Sequence, residues 1–421
     1  MKDKATKEMF RRVRAMAKSK LTAANFVKAY NSFALPILRY GFGILKWTKT
    51  ELLQLDRKMR KVLTKAGFHH PKSNTHRLYM SRADGGRGIK SLWDTYKEEC
   101  SKLATYLRTN SRSDPLTSLI SEMEGKKSKN TSIMRFKDEE ESLVKIHAEE
   151  HLEAYKEMEM HGQWMAERDE IASVDVVQSE RWLKCSNLTP ETESVLIAAQ
   201  EQTLATNYIR NKLWKIKCSP LCRLCKEKPE TVRHIISGCK QLVGTKYTNR
   251  HDKVGKYIHW NLLKDRGIEV CREWFKHVPE KVTECGETTI MWDSPILTDK
   301  RVCANRPDIT IHDRKERKAV LIDFSVPYDT NIVEKTAEKL IKYRDLEIEI
   351  QKCWNLKETS TVPVIIGALG TVSTDHTQYL KNLSENINPD VVQKTALLGT
   401  ANILRSVLSI NAKPKKTSIG K

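Results

Sequence analysis

The spacing Cys222-x2-Cys225-x8-His234-x4-Cys239 constrains this chain more than any other feature. Two thiols on one tight turn, with an imidazole and a third thiol returning to meet them, are the four donors that tetrahedral zinc takes in closed sites. Residues 222–239 are therefore expected to wrap around a structural Zn2+. The opening MKDKATKEMFRRVRAMAKSK lacks the apolar core of a secretory signal, so the ten cysteines are expected to be mostly reduced. Cys218, one turn upstream, is a possible competing ligand. Four protein ligands leave no open coordination position, so this zinc should shape a nucleic-acid-binding knuckle and should not catalyse.

The charge balance points the same way. Lys and Arg number 74 against 53 acids, a net +21 over 421 residues, and a basic excess of this size favours a polyanion partner. Residues 1–72 hold 18 of the basic residues and 4 acids, so +14 of the +21 sits there. At 39% hydrophobic the chain has apolar material for two to four domains. No apolar run approaches the roughly 18 residues of a membrane span, so a soluble protein without membrane contact is expected. There is no tandem repeat.

Coarse patterning places helices over 21–34 and 50–64. In the second, Leu52, Leu55, Met59 and Val62 form one stripe, with Arg57, Lys58, Arg60 and Lys61 largely off it. The cationic side is either a solvated surface or a phosphate contact. Gly85-Gly86-Arg87-Gly88 reads as a turn, since a dinucleotide or P-loop fingerprint needs a fuller glycine pattern behind a strand. From Ser91 to about Arg168 the chain is polar and helix-prone, with a lysine-rich break at 125–130 and an acidic run at 138–141, as in a mobile or elongated connector. A helix over 190–217, capped by Thr189 and Pro190, should lead into the cysteine cluster. His251 and His259 read as core or phosphate-contacting residues rather than ligands.

After Trp292 the pattern turns to strands. Asp308 opens a run in which Ile309 and Ile311 alternate with polar residues, a charged turn follows, and AVLIDFSVP makes a second strand. Asp323 lies between Ile322 and Phe324, where burying an unpaired carboxylate would cost several kcal/mol, so a cation must face it. A hairpin brings Asp308 and Asp323 together so that both can share one Mg2+ or Mn2+. The helix expected over 331–352 carries Lys335, Lys339 and Lys342 on one face, and VPVIIGALGTV reads as a buried strand running into a glycine turn. Two acids, a cation and a lysine are the makeup of a metal-dependent phosphodiesterase. The rival reading is an acid neutralised by a structural salt bridge.

In order along the chain, these segments resemble a known family. ALPILRYGFGILKWTKTELLQLDRKMRKVLTKAGFHHPKSNTHRLYMSRADGGRGI looks like the thumb of non-LTR retrotransposon reverse transcriptases. HGQW, TPETESVLIAAQEQTLATNYIR, CRLCKEKPETVRHIISGC and YTNRHDKVGKYIHW resemble the linker and CCHC knuckle of the site-specific subgroup. RPDITI, LIDFSVPYDTNIVEKTAEKLIKYRDL and VPVIIGALG are similar to that subgroup's restriction-like endonuclease, a PD-(D/E)xK relative. By this resemblance Asp308 and Asp323 are the catalytic, magnesium-holding acids. Ser325 stands where the wider superfamily has its lysine, and the subgroup takes the lysine from the next helix: Lys339 first, Lys335 and Lys342 behind it. The zinc ligands fall on Cys222, Cys225, His234 and Cys239. The paired aspartates of the polymerase are missing, since the chain has no Asp-Asp dipeptide.

The expected fold is mixed. It comprises a helical thumb remnant (1–90), a helical linker (91–217), a CCHC knuckle region (218–262), an α/β restriction-like nuclease domain (263–400) and a helical, basic tail (401–421). The expected function is that of the carboxyl-terminal part of a retrotransposon polyprotein. It would bind target DNA and element RNA in the nucleus, with Arg57, Lys58, Arg60 and Lys61 as binding residues, and nick DNA with a divalent metal. Polymerase activity would belong only to the full element. The alternative is a non-catalytic, zinc-knuckle nucleic-acid binder.

Overall fold

The computed structural model describes residues 1–127, 133–136 and 143–410. The acidic run at 138–141, part of the lysine-rich break and the basic tail from 411 onward lie outside the described residues. The architecture is mixed, largely helical with one five-stranded sheet. No helix among the described residues is long and apolar enough to cross a membrane. The chain forms two compact units, residues 1–163 with 187–201, and residues 164–186 with 202–421.

The first unit is helical. Thr48 and Glu51 close a capping box at the head of the Lys49–Lys65 helix, satisfying two amide groups that helix starts leave free. Leu52, Leu55, Met59 and Leu63 then point into a core shared with Met9, Phe10, Val13, Phe26 and Tyr30. The helix expected over 21–34 is present as Ala23–Ala29 passing into a π turn, Tyr30–Ala34. The beginning of the expected connector contributes to the same core: the Leu92–Asn110 helix buries Tyr96, Cys100, Ala104 and Leu107. Its apolar positions keep helical spacing but are diluted by Thr, Ser and Lys, which is why the sequence reads as polar.

Residues 85–88 do form a turn, with Gly85 and Gly88 at φ of +85° and +75°. Behind it lies an ionic knot. The fully buried Glu193 takes Arg82 at 2.6 Å and Arg87 at 2.7 Å, and the Arg87 guanidinium lies 4.0 Å from the Phe68 ring centroid. The helix carrying Glu193 is shorter than expected. It spans Pro190–Gln200, the chain turns through Gln202 at φ +56°, and Thr206 caps a new helix, Asn207–Lys212. The expected continuous helix over 190–217 is thus two helices, because a left-handed residue followed by a side-chain cap ends one and starts another.

In the second unit, β1 (Val282–Cys285), β2 (Thr288–Trp292), β3 (Ile309–Asp313) and β4 (Lys318–Ser325) form an antiparallel meander. β5 (Glu358–Ile365) joins β4 in parallel, after a crossover through two helices, Ile332–Lys342 and Arg344–Cys353. One sheet face, with Ile309, Ile311, Ile322 and Phe324, packs on the Thr248–Asp265 helix. On β4 the opposite side carries Ala319 and Leu321, packed on Tyr343, Leu346 and Ile350. Period-two alternation places Asp323 in that second row. The helix expected over 331–352 is broken at Tyr343, which leaves helical geometry with its phenol turned toward the sheet.

His376, at the head of the His376–Leu383 helix, is fully buried. Burial pushes its imidazole down to about 4 from the ordinary value near 6.5. The unfolded chain therefore takes up this proton first, and stability is lost as pH falls from about 6.5 to about 4, by on the order of 3 kcal/mol. A His376→Gln chain is expected to show a shallower acid slope in urea unfolding over that range. Equal slopes in both chains would refute the assignment.

Candidate functional site

The predicted cysteine cluster closes. Among the described residues, the donor atoms of Cys222, Cys225, His234 and Cys239 are the one set of three or more His, Cys, Asp or Glu donors found within 4.8 Å of one another. The Cys222–Arg223–Leu224–Cys225 knuckle is shaped by its backbone: the amide of Lys226, at φ +60°, donates to the Cys222 carbonyl, and the Cys222 amide donates to that of Lys228. A π turn, His234–Gly238, then returns the imidazole and Cys239. Cys222 and Cys239 sulfurs stand 3.9 Å apart, and Cys225 Sγ lies 3.4 Å from His234 Nε2. Ligands about 2.3 Å (S) and 2.0 Å (N) from a tetrahedral centre stand about 3.8 and 3.5 Å apart, so the quartet could hold a metal such as zinc. Cys218 stays outside, its thiol directed at the Asn207 carbonyl.

The chemistry around the quartet also fits a cation. Burial pushes the Cys239 thiol up to about 11, against a backbone hydrogen bond from Gln241 and with the nearby Cys222 adding to the rise. Sulfurs held this close can all ionise only around a shared cation. Tyr247 braces the site by accepting from the Cys239 amide at 3.0 Å and donating to the Ile235 carbonyl at 2.8 Å. At the base, buried Glu230 accepts from the Arg223 and Asn207 amides and from the Arg223 guanidinium.

The hairpin of β3 and β4 sets Ile309 opposite Ile322, with Asp308 just before β3 and Asp323 next along β4. Asp308 Oδ2 accepts the Phe324 amide at 2.7 Å. The cation demanded by Asp323 is present twice over: Lys339 Nζ lies 2.6 Å from Oδ1 and Lys342 Nζ 3.1 Å from Oδ2, while the Tyr343 hydroxyl donates to Oδ2. Burial alone would raise the Asp323 carboxyl, but the Lys339 charge and hydrogen bond, with Tyr343 and Lys342, hold it below its ordinary value. Tyr343 is pushed well up, first by burial and then by the Asp323 charge, with Asp308 adding to the rise, so its phenol stays protonated. Lys335 does not join this group; it pairs with Glu338.

Sequence reading missed one partner. His251, on the Thr248–Asp265 helix, places Nε2 at 3.0 Å from Asp308 Oδ2 and Nδ1 at 3.1 Å from Asp252 Oδ1. Burial opposes a charge on the ring, but the two carboxylates outweigh it and push the imidazole up to about 10. Its position follows from Gly255, one turn on, where an added Cβ would meet the Phe324 and Trp292 rings at 2.7 Å. The helix can approach the sheet only because that side chain is missing. His259, by contrast, is a core residue as expected, buried and paired with His277 at 2.8 Å.

One cleft of about 920 Å³ runs from the knuckle to the acid. Arg233, His234 and Gly238 line it together with His251, Asp308 and Lys335. Within it Arg233 lies 4.8 Å from the ring centroid of Tyr328. In the first unit, Arg57, Lys58 and Lys61 are exposed on the Lys49–Lys65 helix, whereas Arg60 is half-buried and donates to the Tyr79 hydroxyl at 2.8 Å. The exposed cationic side is therefore narrower by one residue than the sequence suggests. Compared with known proteins, the chain matches no family model and no curated protein.

Proposed function

We propose that the chain is the carboxyl-terminal part of a non-LTR retrotransposon reverse transcriptase, and that its sheet-bearing unit nicks DNA in the presence of a divalent cation. The observation that supports this reading is that the paired strands β3 and β4 bring an acid from each into one neighbourhood, Asp308 on the Phe324 amide beside an open cleft and Asp323 on Lys339. Asp308 and Asp323 are the residues that would hold Mg2+ or Mn2+. Such an ion, when bound, supplies Lewis-acid stabilisation of charge developing on a phosphate. Lys339 and Lys342 keep Asp323 ionised, and Arg233 and Lys335 give the cleft walls positive charge for a phosphate backbone. His234 and Gly238 of the cysteine-cluster segment line the same cleft as Asp308, which suits a polynucleotide longer than the reacting phosphate.

The test is nicking of supercoiled plasmid by the purified chain with Mg2+ or Mn2+. Asp308→Ala and Asp323→Asn are each expected to lower the rate by about 10²–10³-fold, with DNA binding nearly unchanged. Undiminished cleavage in both variants would remove this site from consideration. A second reading, a non-catalytic nucleic-acid binder, is favoured by the protein cations that already neutralise both acids, His251 on Asp308 and the lysines on Asp323. It requires salt-sensitive binding with no cleavage under either metal.

A further inference from the structure

His251, read from the sequence as a core or phosphate-contacting residue rather than a ligand, forms an ordered array with Asp252 and Asp308 at the cleft. Asp252 Oδ1 faces His251 Nδ1 at 3.1 Å, and His251 Nε2 faces Asp308 Oδ2 at 3.0 Å. An imidazole held by a carboxylate on one nitrogen, with its other nitrogen turned to a second carboxylate, is the arrangement that fixes the tautomer and direction of metal-ligating histidines. The separation fits as well. Two donors at right angles on an octahedral ion at about 2.1 Å stand about 3 Å apart. Both residues open to the cleft, His251 at 30% and Asp308 at 21% side-chain exposure, so an ion can reach them from solvent.

We propose that His251 Nε2 and Asp308 Oδ2 are joint ligands of a divalent cation, with Asp252 orienting the imidazole, and that the nitrogen donor makes the site prefer Mn2+ over Mg2+. This rests on the reading that Asp308 faces a divalent cation and adds a ligand and a metal preference to it. Mg2+ is hard, takes oxygen donors and gives up water reluctantly, whereas affinity for an imidazole rises along the first-row divalent metals. An imidazole ligates through a neutral Nε2, so any proton there leaves to solvent as the ion binds. Asp323 remains the other acid of the proposed site, and water and phosphate oxygens complete such a shell.

The experiment uses the full chain loaded with zinc. Mn2+ is titrated with the free ion read by electron paramagnetic resonance, and Mg2+ is added as competitor. Wild type is expected to bind Mn2+ at least tenfold more tightly than Mg2+, and pulsed spectra of the bound ion should carry nitrogen-14 modulation from a directly ligated imidazole. His251→Gln, which offers an oxygen instead, should weaken Mn2+ by about tenfold or more, change Mg2+ little and remove the nitrogen signal. Asp252→Asn should weaken Mn2+ by up to about tenfold. Mn2+ binding that is lost in Asp308→Asn but unchanged in His251→Gln, without nitrogen modulation in wild type, overturns the histidine ligand and leaves the acid reading standing. Absence of binding by either metal, or binding indifferent to Asp308→Asn, overturns both. The nitrogen signal is read on the unaltered protein, so a poorly folding variant does not blunt the test.

Discussion

Replacing Cys222 and Cys225 together by serine is expected to abolish binding of about one zinc per chain and to unfold the region from Cys218 to Tyr247. Val232, Ile235, Ile236 and Leu242 bury part of this segment, but the knuckle itself has little apolar packing. Leu221, Leu224 and Val243 are exposed, and the turn between the cysteines is closed by a few backbone hydrogen bonds. Closed zinc sites in comparable peptides contribute about 10–16 kcal/mol at neutral pH, far beyond what these hydrogen bonds supply. Amide hydrogen exchange across residues 218–247 should accelerate by several orders of magnitude in the double variant, and on chelation of the native protein. Protection that survives both treatments, in a protein that contains no metal as purified, contradicts the zinc assignment.

A second large effect is expected at Glu193→Ala. Glu193 is 1% exposed and takes two guanidinium groups, of which Arg87 is itself 2% exposed. Burial pulls the Arg87 guanidinium down to about 10, against the opposing effect of the Glu193 charge. Removing the carboxylate strands a buried positive charge, a change that costs about 3–5 kcal/mol where one partner of such a pair is deleted. Urea unfolding of Glu193→Ala should show that loss, and Arg87→Met combined with Glu193→Leu should recover part of it, because the more deeply buried guanidinium is gone while Arg82 still loses this carboxylate. A loss under about 1 kcal/mol in the single variant would mean that solvent reaches Arg87.

Local chemistry explains what could be read from the residues. The hairpin of β3 and β4 announces itself by alternation and a charged turn, and the Lys49–Lys65 helix by its apolar stripe. The four candidate zinc ligands lie within one stretch of chain, so their spacing alone carries the geometry. Long-range partners leave no such trace. His251 meets Asp308 across 57 positions, and what brings them together is the space beside Gly255, a packing fact that no periodicity encodes. Glu193 reads as an ordinary acid in the first turn of a helix, and only the fold turns Arg82 and Arg87 toward it. Tyr343 breaks a helix whose pattern continues through it, since its hydroxyl belongs with Asp323. The lysine face likewise divides: Lys339 and Lys342 reach the acid while Lys335 turns to Glu338.

The short distance between the Thr248–Asp265 helix and the sheet has a mechanical consequence. Tyr247, the last residue before that helix, clasps the Cys239 amide; His251 follows one turn later, and Gly255 sits against Phe324 and Trp292 one turn beyond. A single stiff rod thus begins at the cysteine quartet and is pinned at its middle to the strand bearing Asp323. The candidate zinc ligands and the His251–Asp308 pair thus share one helical support.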